Sequence, residues 1–179
     1  EYDRLSVSES QRAGIAFVHQ ELNVFDNLDV AGNMFLGREI RNRLGLLDIE
    51  ATREATRPLL AKVGARFSPD TPVESLSLAE RQQLEIAKAL SIDARVVIMD
   101  EPTSSLTMSE TRTLMQVIAD LKAQGIAVIY ISHRLGEVEE CADRVVGLRD
   151  GQFAGDLVKG EITHDAMIRL MIGRDLKSL

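Results

Sequence analysis

The chain has 179 residues, enough for one ordinary domain with a sizeable core, and its 45% hydrophobic and 27% charged content excludes a disordered, collagen-like or disulfide-stapled protein. Its 21 Lys+Arg against 28 Asp+Glu leave a formal charge of −7, which argues against nucleic acid as a ligand. The single cysteine, Cys141, fits a reducing, cytoplasmic compartment, and no apolar run reaches the roughly 20 residues that span a bilayer, so any membrane role is expected to be peripheral.

In chain order, Gly14 to Val18 reads as a buried strand that runs into the polar cluster His19-Gln20-Glu21. From Asn27 to about Asp93 the pattern predicts helices and no strand. Val30 to Leu36 gives a short helix, and Ile49, Ala55, Leu59, Leu60 and Val63 fall near one face of a longer one that stops at Gly64. Ser68 to Pro72 form a loop of poor helix formers, and a third helix is expected from about Ala79 to Leu90. After Asp93 the rhythm becomes strand, helix, strand, helix. Val96 to Met99 and Ile126 to Ile131 are unbroken apolar runs, as in parallel strands covered on both faces. Between them Leu114, Val117, Ile118 and Leu121 mark one helix face, with Thr107 and Glu110 as a capping box and Gly125 as the stop. Val145 to Leu148 and Phe153 to Leu157 flank Asp150-Gly151, a hairpin signal, and a last helix runs from about Thr163 to Met171. The fold class read this way is α/β: a parallel-sheet core interrupted by an α-helical subdomain, with 1–26 and 94–179 as core and 27–93 as the insert.

The polar residues collect where strands end, which is where ligands meet a parallel sheet. Asp100-Glu101 closes the first run after Asp93; in a nucleotide hydrolase the first acid can hold Mg²⁺ and the second can polarise an attacking water, the plain alternative being two solvated acids. Ser132-His133 closes the next, where an imidazole can meet a terminal phosphate or simply cap the following helix. Gln20 brings a neutral amide able to contact metal and water. Leu76-Ser77-Leu78-Ala79-Glu80 opens the third helix of the insert, and Ser77 with Glu80 makes a capping-box pattern at a helix N-terminus that also suits an anion.

Taken in order, these strings resemble the ATP-binding subunits of ABC transporters, whose cores are RecA-like P-loop NTPase folds. Gln20 is similar to the family's glutamine loop, Leu76-Ser77 to its signature, Val96 to Glu101 to its Walker B strand, Ser104 to Thr107 to its D-loop and His133 to its switch histidine. Val18 to Asn23, Phe35 to Glu39, Glu85 to Leu90 and Met171 to Leu176 resemble the first ATPase half of monosaccharide importers of the ribose, galactose and xylose type. The resemblance implies ATP hydrolysis with Mg²⁺ at the cytoplasmic face of the membrane. It further implies a second ATPase domain, transmembrane permease subunits and, through them, a periplasmic sugar-binding protein as partners. By position, Asp100 and Gln20 would serve Mg²⁺, Glu101 the attacking water, His133 the γ-phosphate, and Ser77 with Leu78, Ala79 and Glu80 the nucleotide of the opposing domain. The segment from Gln20 to about Leu36 would meet a permease helix. An ABC-type ATPase outside transport and a non-catalytic interaction module are the alternatives.

Two departures qualify the resemblance. No Gly is followed by Lys, so the Walker A cradle is absent, and the expectation is a piece cut behind that motif, inactive alone, with more chain after Leu179. The signature carries Leu78-Ala79-Glu80 where the family usually has Gly-Gly-Gln, and Thr107 stands where the D-loop usually has aspartate. Bulk and negative charge at the signature imply unequal composite sites in the parent.

Overall fold

A computed structural model describes residues 6–20 and 22–172, so Glu21 and the end of the Met171 to Leu176 stretch lie outside the described residues. The chain forms two compact units, Glu1–Ile131 and Ser132–Leu179.

In the first unit, α1 (Val7–Arg12) leads to β1 (Ile15–Val18), and the helical stretch follows with α2 (Val30–Met34), α3 (Ile49–Lys62) and α4 (Leu78–Leu90). Next come β2 (Val96–Asp100), α5 (Met108–Ala123) and β3 (Ala127–Ile131). Among the described residues the sheet order is β1-β2-β3, all parallel, with Val18, Met99 and Tyr130 on one rung and Asp100 paired with Ile131. The expected strands and helices therefore form at the expected places, and the parallel sheet follows from the crossovers through the helical stretch and α5. Each helix starts on a residue able to accept from free N–H groups: Asp29 for α2, Asp48 for α3, Ser77 for α4 and Thr107 for α5.

The core is the inner face of this sheet with two helices against it. Val18, Val97 and Met99 are fully buried, as are Leu84 and Ile86 of α4 and, within a few per cent, Leu114, Val117, Ile118 and Leu121 of α5. Side chains of this size stabilise by on the order of 2 kcal/mol each when removed from water. The other sheet face departs from expectation. Phe17, Ile98 and Ile129 share a rung, yet Phe17 is 44% and Ile129 51% exposed, and Ile131 is 45% exposed. An apolar run fixes which residues can be buried, whereas the pleat places alternate side chains on opposite faces and the packed helices cover one of them.

Two further differences have local causes. Ile49 is 62% exposed because it is the first residue of α3; the buried positions of that helix are Thr56 and Leu60. Thr56 tolerates burial by donating its hydroxyl to the Thr52 carbonyl at 2.8 Å. The short α1 carries no apolar stripe and buries no residue, so periodicity does not announce it, although Ser6 and Glu9 form a full capping box.

The second unit contains α6 (Leu135–Cys141), the antiparallel hairpin β4 (Arg144–Arg149) and β5 (Gln152–Val158), and α7 (His164–Ile172). Asp150 and Gly151 sit at φ 51 and 73, the two left-handed positions that a tight turn of this kind needs. α7 lies against both strands, and Gly147 and Gly155, opposite each other in the ladder, leave room for Leu170.

Candidate nucleotide-handling site

The strand edge is built by parallel pairing. β1 and β2 run the same way and end on adjacent rungs, so Gln20, two residues past Val18, and Asp100-Glu101 leave the sheet from the same edge. Gln20 is exposed on a bend; the ring of His19 beside it lies tilted by 43° to that of Phe17, with centroids 4.4 Å apart. Asp100 is the last residue of β2 and half-buried. Glu101 departs sharply: its φ is 44 and Pro102 follows, so a non-glycine residue holds a left-handed backbone at a position where the next ring already restricts it. Such strain costs on the order of 1–3 kcal/mol and persists where the surroundings enforce it. Here the Glu101 N–H donates to the Ile131 carbonyl at 2.9 Å and the Glu101 carbonyl accepts from Ser104 N–H at 3.1 Å, locking the turn from both sides.

The residues that resemble the signature open α4. Ser77 is its N-cap: the hydroxyl accepts from Glu80 N–H at 3.4 Å, while the Glu80 carboxylate accepts from Ser77 N–H and from the Ser77 hydroxyl, each at 2.8 Å. The capping box anticipated from sequence is therefore complete, and the only O–H donor of Ser77 is directed at a carboxylate. Leu78 is 41% exposed and Ala79 half-buried. Thr107 and Glu110 form the same box on α5, and the Thr107 backbone N–H and hydroxyl hold the Glu110 carboxyl below the usual carboxylate range.

His133 is the second residue of the second unit, so the structure assembles Gln20, Asp100 and Glu101 at one edge of the first unit and describes His133 separately. The N-cap of α6 is Arg134 rather than His133. Among the described residues no three His, Cys, Asp or Glu side chains gather closely enough to form a metal site of their own. A lone strand-end carboxylate such as Asp100 suits Mg²⁺, which keeps much of its water and needs one or two carboxylates beside phosphate oxygens. A cavity of about 340 Å³ in the second unit, lined by Arg149, Ala154, Leu157, Ala166, Arg169 and Leu170, contains none of the residues singled out from sequence.

The structure adds residues that sequence reading passed over. Asn33, fully buried in α2, donates to the Phe25 and Asp29 carbonyls and accepts from Phe25 N–H at 2.7 Å, fixing the loop that follows Gln20. Lys88 donates to the Asn23 carbonyl at 2.9 Å and Arg81 binds Asp26 at 2.5 Å. An isolated Asn within the apolar run Val30 to Met34 is the one such feature with a sequence signal.

The chain is 46% identical over 174 residues to the ribose import ATP-binding protein RbsA of Rhodopirellula baltica, covering 97% of this chain and 34% of that protein. It is 46% identical over 171 residues to the ribose import ATP-binding protein RbsA 1 of Streptomyces coelicolor, covering 96% and 34%. The chain thus spans about a third of the length of these curated relatives. Among solved structures, MJ1267, an ATP-binding cassette of an ABC transporter, superposes with TM-score 0.75 at 20% identity over 90% of this chain and 70% of its own. The ATP-binding cassette MJ0796, in a dimeric post-hydrolysis state bound to ADP and Pi, gives TM-score 0.67 at 22% identity, covering 86% and 68%. The fold is that of an ATP-binding cassette, a P-loop NTPase core of α/β type. With residues 2–104 matching the ABC transporter family, more than half of the sequence, and with relatives of this identity along nearly all of it, the chain belongs to the ABC transporter family.

Proposed function

We propose that this chain is part of an ATP-hydrolysing subunit that energises sugar import from the cytoplasmic face of a membrane. The observation that carries the reading is the shared strand edge: Gln20 and Asp100-Glu101 leave two paired parallel strands on the same side, in a chain whose relatives are named for ribose import. No helix among the described residues is long and apolar enough to cross a membrane; on this reading the membrane passage falls to permease subunits.

Each residue then has a defined task. Asp100 would hold Mg²⁺, which would supply neutralisation of phosphate charge. Glu101, fixed by its strained turn, orients the attacking water, and His133 donates a hydrogen bond to the terminal phosphate. Gln20 would contact metal and water and would couple them to the loop ending near Leu36, the segment proposed to meet a permease helix. Residues 27–93 act as the helical subdomain and carry Ser77 to the nucleotide of a second ATPase domain, while 1–26 and 94–179 contribute to the core. A periplasmic sugar-binding protein delivers the cargo on the far side. Because no Gly-Lys pair is present to cradle phosphates, the 179-residue chain by itself is expected to hydrolyse no ATP.

The test uses the intact subunit carrying this sequence, reconstituted with its permease. Glu101→Gln should trap ATP and lower turnover by about 10²-fold or more, as loss of water positioning does in phosphoryl transfer. Unchanged turnover removes Glu101 from the mechanism.

A further inference from the structure

Arg81 lies in the first turn of α4 with its side chain 22% exposed, and each part of its guanidinium has a partner. Nη1 donates to the Asp26 carboxylate at 2.5 Å, Nε to the Leu76 carbonyl at 3.2 Å and Nη2 to the Glu74 carbonyl at 3.4 Å. Asp26 stands six residues after Gln20. Leu76 directly precedes Ser77, and its carbonyl shares a rigid peptide plane with the Ser77 N–H. Holding that carbonyl therefore sets the direction of the N–H, which donates to Glu80 at 2.8 Å. The loop end of this connection is itself pinned, by Asn33 on both backbone groups of Phe25 and by Lys88 on the Asn23 carbonyl. A displacement of Asp26 thus meets resistance from α2 and α4 and is relayed through one planar side chain to the peptide that presents Ser77.

We propose that Arg81 is a positioning residue, a latch that makes the loop after Gln20 and the start of the signature helix respond as one piece. The inference deepens the functional reading above and rests on it for the roles of Gln20 and Ser77. Its chemistry is specific to a guanidinium: a lysine keeps the charge beside Asp26 but lacks the fork that reaches two carbonyls as well.

Hydrogen exchange on the intact subunit tests the latch without reference to ATP. Asp26→Asn should speed exchange of the Ser75, Leu76 and Ser77 amides about two- to fivefold, the range that loss of a partly exposed ion pair permits, although Asp26 is far from them in sequence. Arg81→Lys should speed the same amides by a similar factor. Exchange there that ignores Asp26→Asn, or that Arg81→Lys leaves at the native rate, overturns the proposal. In the intact subunit, Arg81→Ala should lower kcat by a similar factor with KM for ATP within about twofold, since Ser77 serves the other domain's nucleotide; native kcat overturns the positioning role. A native subunit with no ATPase activity at all would instead sink the functional reading and leave the exchange result standing.

Discussion

Glu80→Gln is the most informative single change, because it separates helix capping from charge. In the structure the Glu80 carboxylate lies 2.8 Å from the Ser77 hydroxyl and takes its only O–H. A phosphate oxygen accepting from the same hydroxyl at the usual ~2.7 Å would stand roughly 5 Å from that carboxylate. Two unit negative charges at that separation repel by about 1 kcal/mol in bulk water and about 3 kcal/mol at an effective dielectric of 20. Glutamine removes the charge and still accepts from Ser77 N–H, so the helix start survives. The expected outcome is ATP retention tightened roughly five- to hundredfold in the intact subunit, since 1.4 kcal/mol is a factor of ten. The assay compares nucleotide retention by the Glu101→Gln subunit with and without Glu80→Gln, with thermal melting of both to confirm an intact fold. Equal retention would show that Glu80 turns away when the domains close, and weaker retention would show that its carboxylate helps rather than opposes nucleotide binding. Either result refutes the electrostatic reasoning.

Three other expectations follow from the geometry. Glu101→Gly should raise the melting stability of the chain by about 1 kcal/mol through relief of the left-handed backbone while abolishing turnover in the intact subunit; Glu101→Gln should leave stability unchanged, and equal melting of the two variants would show that the turn stores no strain. Glu110 has a lowered carboxyl pKa because Thr107 donates to it, so its contribution is present above the unfolded value of about 4.3 and is lost as pH falls through the lower folded value. The melting difference between the native chain and Glu110→Gln should accordingly be constant above about pH 5 and shrink on acidification below 4; a difference that grows on acidification would contradict the assignment. Gly155→Ala should destabilise by about 1–3 kcal/mol, since φ is 143 and an added Cβ would meet Leu170 at 2.7 Å; Gly160→Ala, at φ 96 with nothing within 4 Å, should cost less, and the reverse order in thermal melts would refute the packing argument.

Much of the fold was legible because the relevant signals are local. The i, i+3, i+4, i+7 spacing of Leu114, Val117, Ile118 and Leu121 needs no knowledge of a partner to mark a helix face, and Ser77 with Glu80 or Thr107 with Glu110 marks a helix start by chemistry alone. The Asp150-Gly151 turn is equally local, because both residues tolerate positive φ. By contrast, Ile49, Phe17 and Ile129 are exposed although they lie on an apolar helix face or in apolar strand runs, since hydrophobicity states what a side chain prefers and not which neighbour is there to cover it.

The residues with chemical potential were likewise readable one strand end at a time: Gln20, the Asp100-Glu101 pair and the Ser77 cap are each written in a few adjacent letters. What the sequence alone determined is therefore the inventory of elements, their caps and the acids and amide that follow them. Only the tertiary structure decided that β1 and β2 pair in parallel so that Gln20 and Asp100 share an edge, that Glu101 is held at positive φ by a bond to Ile131, and that Arg81 joins Asp26 to the Leu76 carbonyl. The pairing of β1 with β2, the bond from Glu101 to Ile131 and the reach of Arg81 to Asp26 each join residues far apart in the chain, and no local propensity encodes a contact whose two ends meet only after the core has closed.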